Sequence, residues 1–307
     1  GTHNCHPPTR VGMRGRAVAL GAGTVLNALA TGRGAAFAID AETTATVDLD
    51  ASGTVTGAVA DVPDADTTLV ERCVERVVDA YGDGEGGRVR TESEVPMAAG
   101  LKSSSAAANA AVLATLDALD VPVADDPGGE READAPLDRL DACRIGVRAA
   151  RDAGVTVTGA FDDASASMLG GVTVTDNRED ALVRRDEVDW DALVWTPPER
   201  AYSADADVDR CEMVAPLADH VAELAREGRH ATAMTVNGLA FSAALGFPTD
   251  PAVEAMPDAL GVSLSGTGPS VVAVGRRDEL VRVRDRWSER EGTTWTTTTR
   301  TDGARTT

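Results

Sequence analysis

The chain has 307 residues, 50 of them acidic and 29 basic, for a net charge of −21, and it is 43% hydrophobic but only 3% aromatic. That apolar content supports a core of Ala, Val and Leu and excludes a disordered acidic chain, while the excess negative charge excludes a nucleic-acid binder, which needs basic surface. No apolar run reaches the roughly 18 to 20 residues of a membrane span, no signal peptide is visible, and the scattered Cys5, Cys73, Cys143 and Cys211 show no metal spacing, so a reduced cytoplasmic protein is expected.

Residues 1–12, GTHNCHPPTRVG, differ in composition from the rest of the chain and read as a disordered extension rather than a metal site. Arg16 to Leu20 is strand-like, and GAGTVLNALATGRG after it reads as a glycine-bounded helix with polar flanks. AAFAID and TATVDLD are strands, the second with period-2 alternation. Thr67 to Ala80 has helical spacing, with Leu69, Val70, Val74, Val77 and Val78 on one face. After the turn YGDGEGG, RVRTESEVP alternates like a strand and stops at Pro96. A helix is expected from about Ser104 to Leu119, then a polar excursion, DVPVADDPGGEREADAP, then a helix from Leu137 to Ala153. GVTVTGAFDDASASMLGGVTVTD reads as strand or loop, short helix and strand. ALVWTPP is a strand, and three helices are expected from Val208 to Met256. GVSLSGTGPSVVAVG is a strand, a glycine-rich loop and further apolar sequence; Asp278 to Arg290 is a helix and TTWTTTTR a last strand. Strands and helices mix without regular alternation, which favours an α+β fold over a doubly wound sheet.

One stretch stands apart. MAAGLKSSSAAANAAVLATL, Met97 to Leu116, carries the single lysine of the chain. It is not a P-loop, because Leu101 rather than glycine precedes Lys102, and GAGTVL is a poor dinucleotide fingerprint, with Leu26 in its third position. What remains is Gly100, a lysine, three serines and a long helix former. Glycine lets backbone N–H groups approach a ligand, and a helix start leaves about four such groups unpaired with a partial positive charge. Lys102 adds a full charge and Ser103, Ser104 and Ser105 add hydroxyls, so the stretch suits phosphate; an ordinary serine N-cap is the plainer alternative.

Pro96-x-x-x-Gly100-Leu101-x-Ser103-Ser104-x-Ala106 resembles the second motif of the GHMP kinases, the superfamily of galactokinase, homoserine kinase and mevalonate kinase. The usual form there is Gly-Leu-Gly-Ser-Ser; here Lys102 stands at the middle glycine and Ser105 at a common alanine. GLKSSSA is similar to the archaeal-type shikimate kinase branch, as are GAGTVLNALATGRGAAFAID (Gly21 to Asp40) and TGAFDDASAS (Thr158 to Ser167), and LSGTGPS (Leu264 to Ser270) resembles the third motif of the superfamily.

The resemblance implies two α+β domains, at 13–165 and 166–307, with an active site in the cleft between them. It implies ATP and Mg²⁺ as cofactors and a small-molecule alcohol, shikimate, as substrate. ATP would lie on Pro96, Met97, Ala98, Ala99, Gly100, Leu101, Lys102, Ser103, Ser104, Ser105 and Ala106, and against Ser265, Gly266, Thr267 and Gly268. Asp162 aligns with the catalytic aspartate that accepts the substrate hydroxyl proton; Asp163 is the alternative for that role or for holding metal, and helix capping is the structural alternative for the pair. Ser104 and, more loosely, Asp152 are implied as Mg²⁺ ligands. Thr24, Asn27, Arg33 and Asp40, with Thr31, supply the polar types a hydroxylated carboxylate requires. Arg144, Arg148 and Arg151 are expected on a solvated helix face paired with surface acids. Rival readings are a homoserine or mevalonate-type kinase with the same phosphate loop, or a nucleotide-binding regulatory protein without turnover. The acidic, lysine-poor composition fits a salt-loaded cytoplasm, with codon bias in a GC-rich genome as the alternative.

Overall fold

The computed structural model describes residues 13–97, 99–125, 136–156, 158–199 and 206–307. The expected disordered extension at 1–12, Ala98 and most of the polar excursion lie outside the described residues.

The chain opens with two long antiparallel strands, β1 (Met13–Leu26) and β2 (Arg33–Asp50). GAGTVL is therefore strand and not helix. Gly21 and Gly23 are required by packing: a Cβ on Gly23 would stand 2.3 Å from the Phe37 ring, and one on Gly21 2.9 Å from Val95 Cγ2. Then come β3 (Val55–Val59), α1 (Thr68–Tyr81), β4 (Gly86–Ser93), α2 (Ser103–Ala118), β5 (Val123–Ala124), β6 (Leu137–Asp138), α3 (Arg139–Asp152) and α4 (Phe161–Leu169). Next are β7 (Val172–Asp176), β8 (Ala181–Asp186), β9 (Asp191–Thr196), α5 (Val208–Glu212), α6 (Ala215–Arg226), α7 (His230–Leu245) and α8 (Asp250–Ala255). The chain closes with β10 (Gly261–Leu264), β11 (Val271–Gly275), α9 (Arg277–Trp287), β12 (Thr293–Thr298) and β13 (Arg305–Thr306).

Two sheets carry the fold. The first runs β13-β1-β2-β4-β3, with β7 beside β2 and β8 beyond it; the second runs β10-β11-β9-β12. β2 is long enough to pair twice on one edge: residues 43–50 pair with β4 and residues 33–37 with β7. The expected boundary at 165/166 falls within α4. Gly170 and Gly171, both at positive φ, turn the chain after α4 back onto the first sheet, so α4, β7 and β8 stay with it, and β13 returns to its far edge. The second sheet begins only at β9. β8 escapes the sequence reading because ALVRRD is half-exposed and charged. Four helices, rather than three, occupy Val208 to Met256 because Pro216 and Pro251 start new helices at their first turns. Among the described residues no helix is long and apolar enough to cross a membrane.

α2 positions the site. Its alanines are buried on nearly every side, so it has no polar stripe and runs through the interior as a central helix. Small side chains let it lie close on β1: a Cβ on Gly15 would stand 2.0 Å from the Ala114 carbonyl oxygen. The N-terminus of this central helix opens into a cleft.

Candidate active site

Two helices begin at this cleft in the same unusual way. The residues before α2 and α4, Lys102 and Ala160, have left-handed backbones with φ of 66 and 50, and no side chain caps either helix. Residues other than glycine enter that region at a cost of roughly 1–2 kcal/mol. The serine-cap alternative fails here, because Ser103, Ser104 and Ser105 lie inside the first turn of α2 rather than before it. The first-turn N–H groups of such an uncapped helix face outward along its axis and are suited to an anion. Asp162 and Asp163 likewise lie inside α4, so neither caps it.

The cleft has a volume of about 520 Å³. Its polar wall is formed by Lys102 to Ser105, by Gly266 to Gly268, and by Asp162 and Asp163. Its apolar wall comes from Leu69 of α1, Val147 and Ala150 of α3, and Met97 and Val155. Within the phosphate-loop motif, Met97, Gly100, Lys102 and the three serines line the cleft, whereas Ala99, Leu101 and Ala106 are buried beneath it. Pro96 is half-buried and stands behind the lining residues.

The third motif buttresses the second. Gly100, at φ 77, lies so close to it that a Cβ would stand 2.2 Å from the Ser265 carbonyl oxygen. The Ser265 hydroxyl donates to the Gly100 carbonyl at 2.8 Å and is fully buried, so Ser265 supports the loop and does not line the cleft. Gly266 passes beside the lysine; a Cβ there would stand 2.8 Å from Lys102 Nζ.

The N-terminal motif is a prop for the same loop. Gly266 N–H donates to Thr24 Oγ1 at 2.7 Å, and Asn27 Nδ2 donates to the Gly266 carbonyl at 2.9 Å. Asn27 N–H in turn donates to Asn237 Oδ1 at 2.8 Å. The side chains of Thr24 and Asn27 are thus committed to protein groups, although Asn27 reaches the cleft wall with Ala28 and Leu29. Arg33 pairs with Asp219 at 3.3 Å and Asp40 with Arg300 at 2.7 Å, and neither lines the cleft. The four residues expected to meet substrate are dispersed because the motif is two strands joined by a turn, which does not gather its polar side chains on one face.

The acidic segment and the lysine meet. Lys102 Nζ lies 2.9 Å from Asp163 Oδ1, with both side chains largely buried. Asp162 is 4% exposed, and its Oδ1 accepts from Asn177 Nδ2 at 2.7 Å. Burial first, and the neighbouring Asp163 carboxylate second, push the Asp162 carboxyl up to about 7, against the opposing pull of Lys102 and Asn177. Asp152, by contrast, ends α3 on the side of α1, where it accepts from Arg76 Nε at 2.7 Å, and it does not line the cleft.

Several residues around Asp162 are not among those expected at the site. Gly34 of β2 underlies it: a Cβ there would stand 2.4 Å from Asp162 Oδ2. Arg144 and Arg151 reach beyond α3 to Asp180, in the turn after β7. Arg151 grips Asp180 at 2.7 and 2.8 Å and also donates to the Thr158 and Asn177 carbonyls. Arg144 donates to the Asp180 carbonyl and stacks over Phe161, the residue before Asp162, at 5.8 Å. Arg148, like Arg151, is exposed, whereas Arg144 is half-buried. Nothing local in the sequence marks these partners, because β7 brings Asn177 and Asp180 to the site from beyond α4.

An uncapped helix start with a lysine, beside a buried carboxylate of raised proton affinity, can hold a phosphate and accept a proton in one cleft. Comparison with known proteins points to kinases. Residues 68–171 match the GHMP kinases N terminal domain. The chain is 68% identical over 296 residues to the shikimate kinase of Halobacterium salinarum, covering 96% of this chain and 100% of that protein. It is 48% identical over 277 residues to the shikimate kinase of Methanosarcina mazei, covering 90% of each. Among solved structures, Lactococcus lactis galactokinase superposes with a TM-score of 0.72 at 13% identity, covering 97% of this chain and 95% of that one. Homoserine kinase from Cytophaga hutchinsonii superposes with a TM-score of 0.70 at 16% identity, covering 96% and 97%. The fold is therefore the α+β fold of the GHMP kinases, and the chain belongs to their archaeal shikimate kinase family.

Proposed function

We infer that the chain phosphorylates shikimate with ATP, giving shikimate 3-phosphate and ADP on the route to chorismate. The observation that carries this reading is the meeting of Lys102, the open start of α2 and the buried Asp162 in one cleft, in a chain 68% identical to a shikimate kinase.

In this reading the adenine rests against the apolar wall of Leu69, Met97, Val147 and Val155, and the phosphates lie over the first turn of α2. The serine N–H groups and Lys102 hold phosphate charge. Among the described residues no three His, Cys, Asp or Glu gather as a metal cage. That suits a nucleotide-borne Mg²⁺, which keeps phosphate and water ligands and takes only one or two protein oxygens. The exposed hydroxyl of Ser104 fits such a role, and the ion, when bound, offsets phosphate charge. The 3-hydroxyl oxygen of shikimate attacks the γ-phosphorus, the bond to the β-phosphate oxygen breaks, ADP leaves, and the hydroxyl proton passes to Asp162. Raised proton affinity suits Asp162 to that transfer near neutral pH. Asp163, engaged with Lys102, orients the lysine rather than acting as the base.

The test is ADP release in high KCl with Mg·ATP, offering shikimate, homoserine and mevalonate separately. Turnover with shikimate alone is expected. Turnover with another alcohol would transfer the site to a different GHMP activity, and ATP binding without turnover on any of the three would favour a regulatory nucleotide binder.

A further inference from the structure

Asp162 lies at the second position of a helix with no side-chain cap, where a buried carboxylate would swing freely between rotamers unless something held it. Asn177, 2% exposed and just past the end of β7, makes two contacts to it. Asp162 N–H donates to Asn177 Oδ1 at 3.1 Å, and Asn177 Nδ2 donates to Asp162 Oδ1 at 2.7 Å. The direction of the amide is fixed by chemistry: a backbone N–H can only donate, so the atom it meets must be the oxygen. Thr175 Oγ1, at 2.7 Å from the same oxygen, reinforces that orientation. The Asn177 backbone is held on both sides as well. Its N–H donates to the Gly32 carbonyl at 2.8 Å, and its carbonyl accepts from Arg151 Nη2 at 3.3 Å. Gly34, without a Cβ, leaves the space into which Oδ2 fits.

We propose that Asn177 is the positioning residue for Asp162, fixing Oδ1 so that Oδ2 is the oxygen that takes the proton of the attacking hydroxyl. This rests on the reading of Asp162 as the base. Asn177 touches neither substrate nor nucleotide in this scheme and acts through the carboxylate alone.

Three variants separate the possibilities. Asn177→Asp keeps the acceptor for Asp162 N–H and Thr175, removes the amide donor to Oδ1 and sets a second carboxyl beside Asp162. Asn177→Ala removes both acceptor and donor. Asp162→Asn tests the base itself. Steady-state kinetics with ATP and shikimate, alongside thermal melting in KCl, are expected to show kcat lowered roughly 10- to 100-fold in both Asn177 variants, the scale of misplacing a reacting group by about 1 Å. KM for ATP is expected to stay within about twofold, since the phosphate loop is untouched. The decisive measurement is the double variant Asp162→Asn/Asn177→Ala. If Asn177 works only through Asp162, the double variant is no slower than Asp162→Asn alone. Losses that multiply would overturn the proposal, as would wild-type kcat in a folded Asn177→Ala while Asp162→Asn is slow. Should Asp162→Asn itself turn over normally, the base reading falls and the proposal with it, an outcome distinct from the other two. If Asn177→Ala does not fold, the Asn177→Asp single and double variants carry the same comparison.

Discussion

Lys102 holds its place under strain: its backbone is at φ 66, a region glycine enters freely and lysine does not, and its ammonium is pressed between Gly266 and Asp163. The resemblance to Gly-Leu-Gly-Ser-Ser explains why glycine is usual at this position and makes the lysine a choice of charge over conformation. Two substitutions divide charge from strain. Lys102→Met removes the charge and keeps the left-handed backbone under a side chain, whereas Lys102→Gly removes both. Turnover should fall by a similar factor, roughly 10- to 100-fold, in each, the scale of one lost charge contact to a transferring phosphoryl group. Calorimetry should find Lys102→Gly the more stable of the two by about 1 kcal/mol. Equal melting would show that the backbone strain is not real, and full activity in Lys102→Met would make the lysine incidental. Asp162 allows a second separation. Its carboxyl protonates near 7 in the folded chain and near 4 when unfolded. Between those values the unfolded chain releases a proton that the folded chain retains, so the group lowers stability progressively as pH rises from about 4 to about 7, and fully above 7. Asp162→Asn, which keeps an oxygen for the Asn177 amide, should therefore melt above the parent at pH 8, with the gain fading toward pH 5, while turnover drops roughly 10²- to 10⁴-fold. A gain equal at both pH values would mean that it does not come from the charge.

At the scale of elements, the site is a joint between the loop before α2 and the loop between β10 and β11. Gly100 is its tightest point, since a Cβ would collide with backbone on the other side, which cannot swing away as a side chain can. Gly100→Ala should thus push the phosphate loop off its support. The expected result is a stability loss of at least about 1–2 kcal/mol and weakened nucleotide binding, with shikimate binding less affected; titration calorimetry with each ligand alone checks the split. Equal loss for both ligands would point to global loosening. The cleft-lining run of Gly100, Lys102 and the serines was legible in the sequence because it is one short stretch, where a helix start and a glycine carry the signal locally. Asp162 was legible on the same terms. What was not legible came through the sheet. Asn177 and Gly34 reach Asp162 only because β7 pairs with residues 33–37 of β2, and no spacing along the chain encodes that. The helix expected in the N-terminal motif was misread for a related reason: GAGTVL is rich in small residues whether it is a helix or a strand packed against Phe37, and two of the motif's polar residues, Thr24 and Asn27, brace Gly266. Arg151 is exposed and pairs with an acid, but that its partner would be Asp180, beyond α4, no spacing along the chain encodes.

Across the whole molecule, charge is the dominant unbalanced term. Many arginines are matched to acids in ion pairs that are largely solvent-exposed, such as Arg14 with Asp48 and Arg276 with Asp278, and such pairs contribute about 0–1 kcal/mol each. With 50 acidic and 29 basic residues, a net charge of −21 remains after any pairing, and it is spread over a core whose side chains are mostly small. Screening weakens attraction and repulsion alike, so the sign of the salt response depends on which is larger. Paired charges already sit a few ångströms apart, where screening reaches least, while the surplus carboxylates repel over longer distances, which a screening length of about 10 Å at 0.1 M leaves in force and one of about 3 Å at 1 M removes. Repulsion therefore loses more than attraction does, and the melting temperature should rise from 0.1 to 1 M KCl. Choline chloride at the same ionic strength separates the causes. Equal stabilisation by both salts identifies screening, and stabilisation by KCl alone identifies cations held specifically by the acidic surface. A flat response to both would show that the surplus charge is energetically inert, and the acidic, lysine-poor composition would then trace to codon usage rather than to salt.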